Sequence, residues 1–303
     1  MAVALFHLGG KAVPVLKFGW LGVEMFFVLS GFIICWAMPA FYSFNMSGRF
    51  IVKRIVRIEP PYLISLVLLI VLNWSTIGNY SPDWRQILLH VGYLNNLFNK
   101  PYLNPVYWTL GIEFQFYLFI AFFFPLLVKN AGKWLVLLLS ILPAFIHIRG
   151  QLLSASFPLF GLGIFCFLFK KKLITPLDFA IFGWVTALSC ISTMGWLPAL
   201  AGLAAAALIL IPLKPNKIVT FFSNISFSLY LTHDIVGGRL VVFLGTEFSR
   251  TTFHKGLFFM AGITVSIITA WLFYIFLERP FFIKSKLIGY AVLKPSSAYS
   301  LKT

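Results

Sequence analysis

The feature that most limits what this chain can fold into is a succession of continuous apolar runs. They lie near residues 18–38, 58–77, 107–128, 134–150, 154–169, 174–193, 196–213, 218–244 and 256–277. Runs of about 20 apolar residues match the hydrocarbon thickness of a bilayer when helical. Only 11% of the residues are charged, where a soluble domain carries about a quarter. Lipid offers the backbone no hydrogen-bond partners, so a spanning segment must be a helix or part of a closed barrel. Barrel strands alternate polar and apolar residues, and these runs do not. The expected fold is an all-α integral membrane protein, a polytopic bundle of about ten transmembrane helices. The opening "MAVALFHLGG" reads as the last turns of one further helix, so the first helix is expected to be truncated. Residues 1–303 form a single transmembrane domain, with a helix bundle over 1–285 and a short basic cytoplasmic tail over 286–303. No internal repeat is visible.

A net charge of +16 in a soluble protein would point to nucleic acid. Here no basic block is long enough and no binding motif accompanies the charge, so no nucleic-acid partner is expected. The positive-inside rule accounts for it instead. Placing Arg49, Lys53, Arg54 and Arg57 in a cytoplasmic loop puts Lys129, Lys133, Lys170, Lys171, Lys172, Lys214, Lys217, Arg279, Lys284, Lys286, Lys294 and Lys302 on the same side. Lys11, Lys17, Arg85, Lys100, Arg149, Arg239, Arg250 and Lys255 then lie outside or near the outer face. The long outer loop from Gly78 to Val106 is expected to fold over the mouth of the bundle. Cys35, Cys166 and Cys190 lie in apolar segments without paired spacing, so neither a disulfide nor a metal site is expected.

With eight acidic residues in all, each can be weighed. Asp83, Glu247 and Asp178 read as surface groups, and Glu59 as a neutralising neighbour of Arg57. A carboxylate in lipid is costly and marks function by default. Glu24 and Glu113 each lie about two turns into a span from its outer end, and His7 ends the incomplete first helix. Three ionisable groups from three spans thus share a depth near the outer face. A histidine oriented by a carboxylate is the minimal kit for general-base catalysis. Glu113 is the first choice as that partner and Glu24 the second. On the inner side, Arg54 and Arg57 are three apart and share a helix face, an arrangement suited to phosphate, although plain positive-inside anchoring would look similar. His233 cannot pair with the adjacent Asp234, because consecutive helix residues diverge; it reads as a hydrogen-bonded core histidine. Glu278-Arg279-Pro280 reads as a helix stop with a local ion pair. Gly161 and Gly163 suit close helix packing, and Ser30-Gly31 a close crossing of the next helix.

The segments "FGWLGVEMFFVLSGFII", "FIVKRIVRIEPPYL", "VYWTLGIEFQFYLF", "ISFSLYLTHDIV" and "FLERPFF" occur in that order. Together they resemble the membrane-bound acyltransferase family 3, which O-acylates sugars of envelope and secreted glycans. The resemblance implies a donor, acyl-CoA and foremost acetyl-CoA, on the cytoplasmic side, with no metal. It implies a hydroxyl of a cell-envelope or extracellular polysaccharide or glycolipid as acceptor, in a multi-pass protein of the cytoplasmic (inner) membrane surrounded by membrane lipids. The family's first-helix histidine corresponds to His7, its Arg-x-x-Arg pair to Arg54 and Arg57, its acidic position before "FFVLSGF" to Glu24, and its "WSL..E" glutamate to Glu113. Thr109 stands where Ser is usual. The family also carries a basic residue about three turns before the histidine, a position that precedes this sequence.

Two alternatives accompany this reading. One is a transporter or flippase of a lipid-linked or acyl substrate without acyl-transfer chemistry; the other is an inactive, truncated family member. A transporter would show repeat symmetry and discontinuous midplane spans, and neither is legible here.

Overall fold

The computed structural model describes residues 1–146, 151–212, 214, 216–248 and 251–290. The expectations that concern Arg149, Arg250, Lys294, Lys302 and most of the basic tail lie outside the described residues. Among the described residues the regular elements are all helical. They are α1 (Ala2–His7), α2 (Gly22–Trp36), α3 (Ser47–Thr76), α4 (Trp84–Val91), α5 (Trp108–Leu127), α6 (Gly132–Ile146), α7 (Leu153–Lys170), α8 (Pro176–Met194), α9 (Trp196–Leu210), α10 (Lys217–Thr232), α11 (Arg239–Glu247), α12 (Thr252–Phe273) and α13 (Arg279–Leu287). Among the described residues, seven helical stretches are long and apolar enough to cross a membrane: Leu16–Trp36, Phe44–Thr76, Pro105–Leu127, Leu153–Lys170, Pro176–Met194, Lys217–Glu247 and Thr252–Leu287. The shorter apolar helices Gly132–Ile146 and Trp196–Leu210 complete a bundle whose elements coincide with the nine apolar runs.

Two expectations about boundaries change. The basic segment around Arg54 is not a loop but the first turns of α3, which continues through Pro60 and Pro61 to Thr76. The last helical stretch does not stop at Pro280. A π-helical turn over Tyr274–Glu278 precedes α13, and Pro280 falls within its first turn, where a missing N–H costs little. A second π-helical turn, His233–Gly238, joins α10 to α11.

Close packing is set by glycine. The most extensive contact in the bundle is α2 against α7. A Cβ on Gly31 would stand 2.3 Å from the Phe160 carbonyl oxygen, and one on Gly163 would stand 2.0 Å from that of Val28. The two helices therefore meet backbone to backbone, the small-residue crossing that membrane helices favour. Gly31 thus serves α7, not the next helix in the chain. Gly161 instead makes room for a side chain, since a Cβ there would stand 2.2 Å from Ser140 Oγ of α6. Phe27, Phe116 and Phe160 fill the space beside this crossing; Phe160 stacks on Phe27 at 4.9 Å and on Phe116 at 4.3 Å between ring centroids.

The segment between α3 and α5 forms a packed cap. Tyr93 and Tyr102 are buried with Tyr62 and Tyr107 in one cluster. His90 organises it: its Nδ1–H donates to the Gln86 carbonyl at 2.7 Å, and its Nε2 accepts from the Leu103 N–H at 3.0 Å. Burial lowers the pKa of His90 below its ordinary value. Gly111 lets Tyr102 and Asn96 approach α5, since a Cβ there would lie 2.5 Å from the Tyr102 hydroxyl. At the other end of the bundle, Thr175 and Asp178 form a capping box at the start of α8, and Asp178 pairs with Lys133 of α6 at 2.9 Å. This agrees with reading Asp178 as a structural surface group.

Candidate active site

A cavity of about 400 Å³ lies among α1, α2, α3, α5 and α10. Its wall on α2 runs from Gly22 to Ile34, about 18 Å at the rise of a helix. At one end it is lined by Arg54 and Arg57 of α3 with Glu278, and toward the other by Thr109, Tyr230 and His233. Glu113 and Tyr117 of α5 also line it.

The arginines reach it from one face of α3, as their spacing requires. Arg54 is largely buried, with its guanidinium 5.2 Å from the Phe50 ring centroid and 5.3 Å from that of Tyr117. Arg57 is more exposed and lies 4.9 Å from the Phe282 ring centroid. Arginine tolerates such stacking because its planar charge is weakly hydrated. Glu59, expected to neutralise Arg57, instead lines a small void with Arg54, Tyr93 and Glu113.

The Glu113 carboxylate accepts hydrogen bonds from Tyr117 Oη and, at 3.4 Å, from Ser30 Oγ. The Glu278 carboxylate accepts from the Ser228 N–H at 3.1 Å and from Ser228 Oγ at 2.5 Å. The local Glu278–Arg279 pair expected from the sequence is replaced by this tie between the last helical stretch and α10.

His7, at the end of α1, has its Nδ1 3.0 Å from Nε2 of His233. The two rings are nearly parallel, 4° apart. His233 is fully buried, and its Nδ1 lies 2.9 Å from the carbonyl oxygens of both Leu229 and Tyr230. The π-helical turn beginning at His233 shifts the helical hydrogen-bond register, leaving carbonyl capacity there for a side chain. Tyr230 Oη donates to the Val106 carbonyl and lies 2.5 Å from Thr109 Oγ1. Thr109 thus provides, at the usual serine position, a hydroxyl that links α5 to α10.

Of the five residues singled out from the sequence, Arg54, Arg57 and Glu113 line one cavity, whereas His7 and Glu24 do not. The side chain within hydrogen-bond distance of His7 is His233; the sequence reading names Glu113 first and Glu24 second as its partner. Glu24 is buried on the side of α2 away from the cavity. The cavity face of α2 carries Gly22, Val23, Phe26, Leu29, Ser30 and Ile33. At about 100° per residue, Glu24 points nearly opposite to the centre of that face. Similar height along neighbouring helices does not imply a shared face. Tyr117 and Tyr230 were not singled out, yet their spacings were visible: Tyr117 is one turn from Glu113, and Tyr230 one turn from His233.

A helical membrane bundle with a cavity that runs from an arginine pair to His233, which is hydrogen-bonded to His7, has the parts of a membrane-embedded group-transfer protein. Residues 3–275 match the family model described as "Acyltransferase domain", and the chain belongs to that family. It is 27% identical over 150 residues to "Putative acetyltransferase ORF330" of Acidianus two-tailed virus, covering 48% of this chain and 44% of that protein. It is 28% identical over 146 residues to "Peptidoglycan O-acetyltransferase OatA" of Listeria monocytogenes, covering 43% of this chain and 23% of that protein. A third similarity, 29% over 146 residues, is to "Regulator of hypoxia-inducible factor 1" of Caenorhabditis elegans, covering 45% of this chain and 29% of that protein. The chain matches less than half the length of these curated relatives. No solved structure matches.

Proposed function

We propose that the chain is a membrane O-acyltransferase. It moves an acetyl or other short acyl group from cytoplasmic acyl-CoA to a hydroxyl of a cell-envelope or extracellular glycan or glycolipid at the outer face of the inner membrane. The observation that carries this reading is the cavity that begins at Arg54 and Arg57 and reaches His233, the partner of His7. The arginine end binds the phosphates of the donor, because guanidinium groups give forked, charge-assisted hydrogen bonds to phosphate oxygens. The acyl arm then lies along α2, bringing its thioester toward the histidine end. His7 is half-buried and outside the cavity lining, so it meets the acceptor from the opposite side.

In the chemical step His7 takes the proton of the acceptor hydroxyl as that oxygen attacks the thioester carbonyl carbon. The tetrahedral species collapses, the carbon–sulfur bond breaks, and the proton held on His7 passes to the departing thiolate. Imidazole is the side chain best suited to exchanging a proton near neutral pH. Glu113, held by Tyr117 and Ser30, lines the cavity beside the arginine end. The relative named as a peptidoglycan O-acetyltransferase supports a glycan acceptor.

The test uses purified protein in lipid nanodiscs with acetyl-CoA and isolated envelope glycans. Acceptor-dependent release of free thiol, with ester-linked acetate on the glycan by mass spectrometry, is expected. Arg54→Ala and Arg57→Ala should each weaken donor binding by about 1.5–3 kcal/mol, the worth of a charged hydrogen bond. Lysine at either position should restore little, because the fork is lost. Unchanged acyl-CoA affinity in a folded double Arg→Ala variant overturns the donor assignment.

A further inference from the structure

His233 is a buried titratable side chain that the proposed step leaves unused. Its surroundings determine where its proton sits. Nδ1 faces two carbonyl oxygens at 2.9 Å, and carbonyls only accept, so Nδ1 must carry hydrogen. In the neutral ring Nε2 is then a bare acceptor. The atom 3.0 Å from it is His7 Nδ1, which must therefore be the donor. The opposite arrangement, with hydrogen on both nitrogens of His233, would place an imidazolium in a fully buried position, where desolvation outweighs the nearby Asp234 charge, a costly state. With Nδ1 of His7 protonated, its Nε2 is left with the free lone pair.

We infer that His233 is a positioning residue that holds His7 as its Nδ1–H tautomer and so assigns Nε2 of His7 as the basic nitrogen. The chain of orientation runs from the carbonyls of Leu229 and Tyr230, through both rings, to the lone pair. It performs for this histidine what a carboxylate performs in a hydrolase triad: it selects tautomer and ring orientation. It differs in one physical respect. A neutral ring partner adds no negative charge to a position in the membrane bundle, where a carboxylate would be expensive. The catalytic part of this inference rests on the base role proposed above for His7; the tautomer itself does not.

Two measurements separate these. Histidine NMR of the full chain in nanodiscs, with isotope-labelled ring nitrogens, reports which nitrogen of His7 bears the proton, independently of any activity. Hydrogen on Nδ1 in the wild-type chain, with this preference lost in His233→Phe, is expected. Hydrogen on Nε2 of His7 in the wild-type chain overturns the inference whatever the activity. If the tautomer is as stated but no acyl transfer occurs, the inference stands for the ring pair and the functional reading falls.

Where transfer is measured, His233→Phe should lower kcat by about 10²–10⁴-fold, the usual worth of a correctly oriented base. His233→Gln keeps an acceptor toward His7 and should retain more activity than His233→Phe. The double variant His7→Ala/His233→Phe should be no slower than His7→Ala alone, since residues that act as a unit lose their effect together. Losses that multiply in the double variant would show that His233 acts independently of His7 and would overturn the positioning role.

Discussion

Replacing Gly31 by alanine tests the backbone-to-backbone crossing of α2 and α7. The added Cβ would sit 2.3 Å from the carbonyl oxygen of Phe160, with the Phe160 carbonyl carbon and Cα each at 3.1 Å. Ordinary contact is about 3.5 Å, so α2 and α7 must separate locally by about 1 Å. The obstacle is backbone on a helix interior, which cannot rotate away as a side chain can. A gap of that size forfeits roughly a quarter to a half of the dispersion attraction across it. Overpacking by one carbon costs about 1–3 kcal/mol in well-packed cores, and with backbone as the obstacle the upper part of that range is expected. Gly163 faces the same crossing from α7, with its Cβ site 2.0 Å from the Val28 carbonyl oxygen. The double variant Gly31→Ala/Gly163→Ala should therefore cost less than the sum of the singles, because either one already opens the crossing. The assay is reversible unfolding in mixed detergent, followed by helix content. A Gly31→Ala chain as stable as wild type, or fully additive singles, would show that α2 and α7 do not meet backbone to backbone.

Two further outcomes follow from the geometry. Cys35, Cys166 and Cys190 are buried, so cysteines introduced at the exposed positions Gly48 and Lys100 can be labelled against a quiet background; Gly48→Cys should react from the cytoplasm only and Lys100→Cys from outside only, and the reverse pattern would invert the proposed sidedness. The pKa of His90 is lowered by burial, so its folded value lies below the unfolded value of about 6.5; the stability it contributes is complete above that unfolded value and is lost as pH falls toward the folded one, by at most about 1.4 kcal/mol per pH unit, and proteolysis of the cap should quicken on acidification in the wild-type chain relative to a His90→Gln chain, whose equal acid response would refute the assignment.

What the sequence revealed and what it concealed divide along physical lines. Span number and position were legible because lipid demands a continuous apolar run, and composition records that directly. The positions of Glu24, Glu113 and His7 along their own helices follow from residue counts, which convert to height along a helix. Their partners do not, because direction around the helix axis depends on how each helix is rotated against its neighbours. Glu24 therefore turned out to point away from the cavity that Glu113 lines. The π-helical turns at His233–Gly238 and Tyr274–Glu278 were concealed for a different reason. A periodicity of 3.6 residues has no term for an inserted residue. The helix continuing through Pro280, and the pairing of His233 with His7 across the bundle, both depend on those turns.

The turns also explain why one helix can serve both ends of the cavity. α10 contributes Ser223, Ser226 and Tyr230 to the lining, with His233 immediately beyond its end. It is fixed laterally at two heights. Glu278 grips Ser228 through both its N–H and its hydroxyl, and Tyr230 is tied to Val106 and Thr109 at the start of α5. Thr232 adds an internal tie, its hydroxyl donating to the Ser228 carbonyl at 2.8 Å. The carbonyls that orient His233 belong to Leu229 and Tyr230, between these anchors. A side-chain hydrogen bond holds an orientation only as well as its acceptor is held, so the geometry at the histidine end depends on contacts one to two turns below it. Glu278, whose position beside a proline suggested only a helix end, thereby connects the element that carries His233 to the basic end of the same cavity. Ser228 supplies the buried Glu278 side chain with two donors, which offset part of the desolvation that burial imposes on an acidic group.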